Sequence, residues 1–273
     1  MFFFCNEKAT TDIYTRPCPT LFRSPREFLG KVPLHRDKAG PSFEIPAMIA
    51  RPVGEKEHQT VQASLDGETK EWAALDARQV WDYASVREWD DVAAEARKGG
   101  KTIHMGRVFG FSVVKHAELE EKYWKYKYRV VFQGNRVVTQ NWTAAVFQDL
   151  GSSPASLEAG KACDAYGLIP GHCVEFADAE AAYTQAKLIG PPTWIMLPKE
   201  RWPASWKNYK NPVVLLDKAL YGHPDSGTAW EKHAEQKLIK ECGFQRIDNW
   251  PSCYFHPKHR TLLTVYVDDF KLA

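Results

Sequence analysis

Three observations predict an α+β fold for this chain. Short apolar runs with strand character are interleaved with loops, too irregularly for a doubly wound parallel sheet. Two segments carry clear helical spacing, each with a start or stop signal of its own. Hydrophobic residues make up 44% and aromatic residues 13% of 273 residues, enough to bury a substantial core.

In chain order, residues 1–70 read as a poorly ordered or linker arm. Seven prolines fall between residues 15 and 70, and mixed-charge text such as Arg51-Pro-Val-Gly-Glu-Lys-Glu-His58 offers few periodic apolar positions. The folded domain is expected over residues 71–273. Its first part, with Leu75, Val80, Trp81, Val86, Trp89, Val92, Ala93 and Ala96, suggests one or two amphipathic helices stopped by Gly99-Gly100. Strands are expected at 108–114 and 125–132. Ser153-Pro154 supplies a cap and a first turn for a helix reaching Tyr166-Gly167. Further strands are expected at 173–177, 194–197 and 213–216. A second helix over 225–242 places Trp230, Ala234, Leu238 and Cys242 on one face, with Gly243 as its stop. Residues 253–256 and 261–267 then read as a hairpin about a Pro257–Arg260 turn.

Charge and cysteine usage exclude several classes. With 36 Lys and Arg against 34 Asp and Glu, the net charge of +2 rules out a histone-like or strongly acidic chain. It leaves room for a local basic surface that binds nucleic acid. Six scattered cysteines suit a reducing compartment rather than a disulfide scaffold. No run is long and apolar enough to cross a membrane, and the N-terminus lacks the pattern of a signal peptide. The expected location is intracellular, cytoplasmic (within virus-like particles included) or nuclear, with no membrane partner. Oligomeric state is not legible.

The sharpest motif is Tyr266-Val267-Asp268-Asp269, directly after the apolar strand Leu262-Leu263-Thr264-Val265. Adjacent carboxylates at the end of a buried strand repel each other, and burial disfavours their ionisation. A shared divalent cation relieves both effects, provided the chain turns there so that both side chains reach it. A second motif, Cys173-Val-Glu-Phe-Ala-Asp178-Ala179-Glu-Ala-Ala182-Tyr183, offers a third carboxylate. A third is Leu220-Tyr221-Gly222 followed by Ala229-Trp230, and a fourth is Lys125-Tyr-Lys127-Tyr-Arg129-Val-Val-Phe-Gln-Gly134.

These four motifs, in this order, resemble those of copia-type (Ty1/copia) retrotransposon reverse transcriptases over about residues 72–273. The resemblance implies the fingers and palm of a right-hand polymerase, with the thumb absent because the chain stops four residues after the Asp-Asp pair. It implies an RNA-directed DNA polymerase that transfers a nucleotide from a dNTP to a primer 3′-hydroxyl on an RNA or DNA template. Asp178, Asp268 and Asp269 would be catalytic and would hold Mg²⁺ or Mn²⁺, two ions standing about 3.5–4 Å apart in such sites. The backbone at Ala179 would reach the triphosphate, Tyr183 would lie beneath the sugar and exclude a 2′-hydroxyl, and Tyr266 would also contact the nucleotide. His223, Asp225, Ser226 and Gly227 replace the basic and amide residues common in that loop of the family.

The segment from Lys122 to Arg136 has a physical logic of its own. As a strand it puts Lys125, Lys127 and Arg129 on one face and Tyr126 and Tyr128 on the other. A cationic face suits phosphates and an aromatic one packs or stacks on bases. Arg129 and Lys127 are therefore expected at the incoming triphosphate and Lys125 at the nucleic acid, while the resemblance implies nucleic-acid contacts at Gly222 and Trp230 as well. Lys199, Arg201, Lys207 and Lys210, with Trp202 and Trp206, make a weaker second patch. A zinc site at Cys242, Cys253, His256 and His259 is disfavoured by its spacing, and a hydrolase triad at His223, Asp225 and Ser226 by the lack of a nucleophile elbow. Two other functions fit the same residues: a catalytically idle nucleic-acid-binding remnant and, less well, a metal-dependent phosphodiesterase.

Overall fold

A computed structural model describes the backbone of residues 13–16 and residues 50–147 and 152–273. The rest of the expected 1–70 arm lies outside the described residues. Elements run in the order β1 (Ile13–Arg16), β2 (Ala50–Pro52), α1 (Glu55–Thr60), α2 (Gln62–Ala77), β3 (Trp81–Glu88), α3 (Trp89–Lys98), β4 (His104–Lys115), β5 (Lys125–Phe132) and β6 (Val138–Thr139). They continue with α4 (Leu157–Gly167), β7 (Glu175–Ala179), α5 (Ala182–Gln185), β8 (Thr193–Met196), β9 (Pro212–Leu216), α6 (Ser226–Lys240), β10 (Gln245–Arg246), β11 (Cys253–His256), β12 (Thr261–Tyr266) and β13 (Asp269–Leu272). The α+β class holds.

Two sheets organise the molecule. The first is built around β4, whose length lets it pair with β2, β5 and β6 antiparallel and with β8 parallel; β9 and β3 follow beyond β8. The second has the order β1-β7-β13-β12-β11-β10 with every pair antiparallel. Trp72, Trp81, Val130, Phe132, Ile195, Val214 and Leu220 centre the core of the first sheet. Trp230, Ala234 and Leu238 of α6 pack with Ala177, Leu263, Val265, Phe270 and Leu272 on one face of the second. Cys163 of α4 packs with Leu262 and Ala273 on the opposite face.

Three expectations are corrected. The boundary at residue 70 falls inside α2, and residues 50–70 form β2, α1 and most of α2 rather than a linker. The apolar repeat was sparse because α2 buries only Ser64, Trp72 and Leu75, and is tied down through its charges instead. Glu57 of α1 pairs with Arg51, and Glu68 of α2 receives Arg201 and His58. Next, Val80, Trp81 and Val86 belong to the turn and strand between two helices, because β3 is recruited by β9 across a register shift between Asp82 and Arg87. Last, the helix expected at Ser153 starts at Leu157, where the Ser156 hydroxyl accepts the Ala159 N–H at 3.2 Å.

Candidate active site

The site forms at one end of the second sheet. In β7, Ala177 and Ala179 are buried while Asp178 is exposed; in β13, Phe270 and Leu272 are buried while Asp269 is exposed. The antiparallel register sets Asp269 directly opposite Asp178. Like charges in that relation destabilise a sheet unless something neutralises them. Asp268 occupies the two-residue turn between β12 and β13, closed by the Tyr266–Asp269 pair. The Ala179 N–H donates to the Asp268 carbonyl at 2.8 Å and staples this turn to the strand that carries Asp178.

The turn is strained. Val267 has φ +57°, a left-handed conformation that a β-branched residue adopts only at a penalty of roughly 1–2 kcal/mol. Trp230 holds it: the indole N–H donates to the Val267 carbonyl at 2.6 Å. Trp230 is 3% exposed within the α6 core, so it supports the turn and offers no face to a nucleic acid, contrary to expectation. In the backbone expected to reach the triphosphate, the Ala179 N–H is committed to the Asp268 carbonyl.

The carboxylates bear the mark of crowding. Burial, then Asp268, then Asp178 push the Asp269 carboxyl above the ordinary aspartate range. Among the described residues no basic side chain forms an ion pair with any of the three. Nor do three His, Cys, Asp or Glu side chains there form a group arranged to hold a metal ion. Asp178 and Asp269, paired across the strands, and Asp268 in the adjoining turn present carboxylate oxygens, the donor type that hard divalent cations take.

Two tyrosines line this end. Tyr183, on α5 just after the left-handed Ala181, meets the Tyr221 ring edge-on at a centroid distance of 4.6 Å. Burial raises both phenols, and Asp268 raises them further. The Tyr221 carbonyl accepts the Phe132 N–H at 2.7 Å, which ties this tyrosine to the first sheet. The only signal for Tyr221 in the sequence is its place beside Gly222. Tyr266 is 59% exposed at the mouth of the turn.

In the first sheet, β5 alternates as expected: Tyr128, Val130 and Phe132 are buried and Lys125 is exposed, with Lys127 and Arg129 partly so. Tyr126 and Tyr128 do not face bases, because their hydroxyls donate to Glu57 and Glu68. The exposed aromatics on the cationic face are instead Phe109 and Phe111 of β4, 45% and 42% exposed and absent from the sequence-based set. Arg129 donates from Nη1 to Glu71 at 3.1 Å. Gly222, at φ +87°, lies so close to Phe132 that a Cβ there would sit 2.2 Å from its carbonyl oxygen, so it serves the junction between the sheets. In the second patch, Arg201 is engaged by Glu68 and Trp206 is buried.

Comparison with known proteins decides the family. Residues 94–273, about two thirds of the chain, match the family described as Reverse transcriptase (RNA-dependent DNA polymerase). The chain belongs to the reverse transcriptase family. Within it, this domain is similar to Gag-Pol polyproteins of Saccharomyces cerevisiae. It is 37% identical over 60 residues to the transposon Ty1-MR1 polyprotein, covering 22% of this chain and 3% of that one. The same identity and length relate it to the Ty1-BL polyprotein, again 3% of its length, and to the truncated Ty1-A polyprotein, 5% of its length. This reverse transcriptase domain thus spans a small fraction of the curated relatives it matches. No helix among its described residues is long and apolar enough to cross a membrane.

Proposed function

We propose that this domain forms the fingers and palm of an RNA-directed DNA polymerase of a copia-type retroelement, with the β4 sheet as fingers and the β7–β13–β12 sheet as palm. The observation that carries the reading is the register of Asp178 against Asp269 beside a strained, indole-clamped turn bearing Asp268.

In this mechanism Asp178 and Asp268, with help from Asp269, would hold Mg²⁺ or Mn²⁺, which when bound would supply Lewis-acid polarisation of the primer hydroxyl and of the leaving phosphate oxygen. Arg129 and Lys127 bind the incoming triphosphate, and the cationic face that continues through Lys125 carries the template–primer duplex by its phosphates. Tyr183, wedged by Tyr221, sits under the sugar, and Tyr266 flanks the nucleotide at the turn. A second reading, a nucleic-acid-binding remnant without catalysis, draws on the lack of a metal-ready group of three side chains among the described residues.

Two measurements test the proposal together. Primer extension on an RNA template should be Mg²⁺-dependent and abolished by Asp268→Asn. Mg²⁺ at ten times its Kd should stabilise the wild type by about 1.4 kcal/mol in thermal melts and the mutant hardly at all. Without metal, Asp269→Asn should raise the melting temperature, because it removes the charge most crowded by its neighbours. Nucleic-acid binding with neither metal stabilisation nor extension would favour the remnant.

A further inference from the structure

The cation-rich face of β4 and β5 already holds one internal anion. Lys127 and Arg129 lie two residues apart on β5, and Lys115 lies on β4 next to Lys127, the register pairing Lys115 with Lys125 and Val113 with Lys127. Burial, then Arg129 and Lys115, lower the Lys127 ammonium. Into this cluster α2 sends a single carboxylate. Glu71 Oε2 accepts from Arg129 Nη1 at 3.1 Å, and Oε1 accepts from the Val130 N–H at 3.4 Å. That amide lies on the side of β5 away from β4, next to α2, so Glu71 gathers a guanidinium and a main-chain donor as a phosphate would. The ion pair runs through one guanidinium nitrogen rather than as a two-pronged fork, and both side chains keep access to water, at 31% and 20% exposure. Such a contact is exchangeable.

We propose that Glu71 occupies the phosphate site of the β4–β5 face as an internal stand-in, and that the phosphate oxygens of an incoming nucleoside triphosphate displace it from Arg129. This rests on the assignment of Arg129 to the triphosphate. It adds Glu71 as a residue that sets nucleotide affinity and Lys115 as a further cation of the site. Glu71 acts through Arg129, so it is a positioning residue rather than a catalytic one.

The test uses the full chain and inorganic tripolyphosphate without metal, its Kd measured calorimetrically. Glu71→Gln keeps the shape of the side chain and one of its two accepting oxygens but removes the competing charge. It should tighten tripolyphosphate about 3–10-fold, with Glu71→Asp in between. In primer extension it should lower the KM for dNTP with little change in kcat. The gain should vanish in an Arg129→Ala background. If Glu71→Gln leaves binding unchanged or weakens it, Glu71 merely aims Arg129 and the stand-in is overturned. Should Glu71→Gln fail to fold, as judged by its melt, Glu71→Asp alone decides: tighter binding supports the proposal and unchanged binding overturns it. If Arg129→Ala leaves tripolyphosphate binding intact, the triphosphate assignment itself fails, which is a separate outcome.

Discussion

Tyr183 reaches its position through its neighbours rather than through its own helix. α5 spans only Ala182–Gln185, and the ring is set by Ala181 in the left-handed region and by the Tyr221 edge. A side chain so wedged can discriminate by shape. Replacing it by valine opens space on the side where a 2′-hydroxyl would sit. Tyr183→Val should raise ribonucleotide use relative to deoxynucleotide use, by a factor corresponding to about 1–3 kcal/mol. Steady-state incorporation of each nucleotide by the extending enzyme measures this, and unchanged selectivity would return Tyr183 to a packing role.

The element that matters most is the β12–β13 hairpin with α6 behind it. A hairpin turn that starts with valine at positive φ does not persist on local preference, since glycine or asparagine would be favoured there. The α6 indole compensates by satisfying the Val267 carbonyl. Trp230→Phe keeps most of the apolar contact and deletes that hydrogen bond, so stability should fall by about 1–2 kcal/mol. For a domain of this size the melting temperature should then drop by roughly 2–8 °C. Binding of single-stranded nucleic acid at low salt should be unaffected. Lost binding with an unchanged melt would restore Trp230 as a nucleic-acid contact.

At the scale of the whole molecule, the two sheets are joined by the 217–226 segment. Gly222 packs against Phe132, the Phe132 N–H donates to the Tyr221 carbonyl at 2.7 Å, and Lys187 bridges Lys218. His223 is buried in this junction among Phe132, Phe147, Thr193, His104 and Asp225. Its imidazole is pushed down to about 4, by burial first and then by His104. A histidine with a depressed folded pKa contributes stability that is full above its unfolded value near 6.5 and is lost as pH falls towards 4. The loss is of order 3 kcal/mol, and His104, lowered in the same direction, adds to it. Asp225, raised by burial, opposes it. Chemical denaturation between pH 7 and 4 should therefore show a decline that His223→Gln reduces; a mutant profile parallel to the wild type would exclude His223 as its source.

The sequence by itself determined the α+β class, the course of β5 and the extent of α6, because each follows from local periodicity. Asp268 and Asp269 share a hairpin by being neighbours after an apolar strand. Tertiary structure alone decided the rest. Asp178 meets Asp269 only through a register set across 91 positions of chain. Trp230 carries the same helical signal whether it faces nucleic acid or clamps a carbonyl, and its hydrogen-bond partner lies 37 residues away. Glu68 and Glu71 read as ordinary solvated charges on a helix with little apolar repeat, yet each meets an arginine from a distant segment. Periodicity reports which face of an element is buried; it carries no information about which buried or charged partner that face meets, since partner choice depends on packing between segments far apart in sequence.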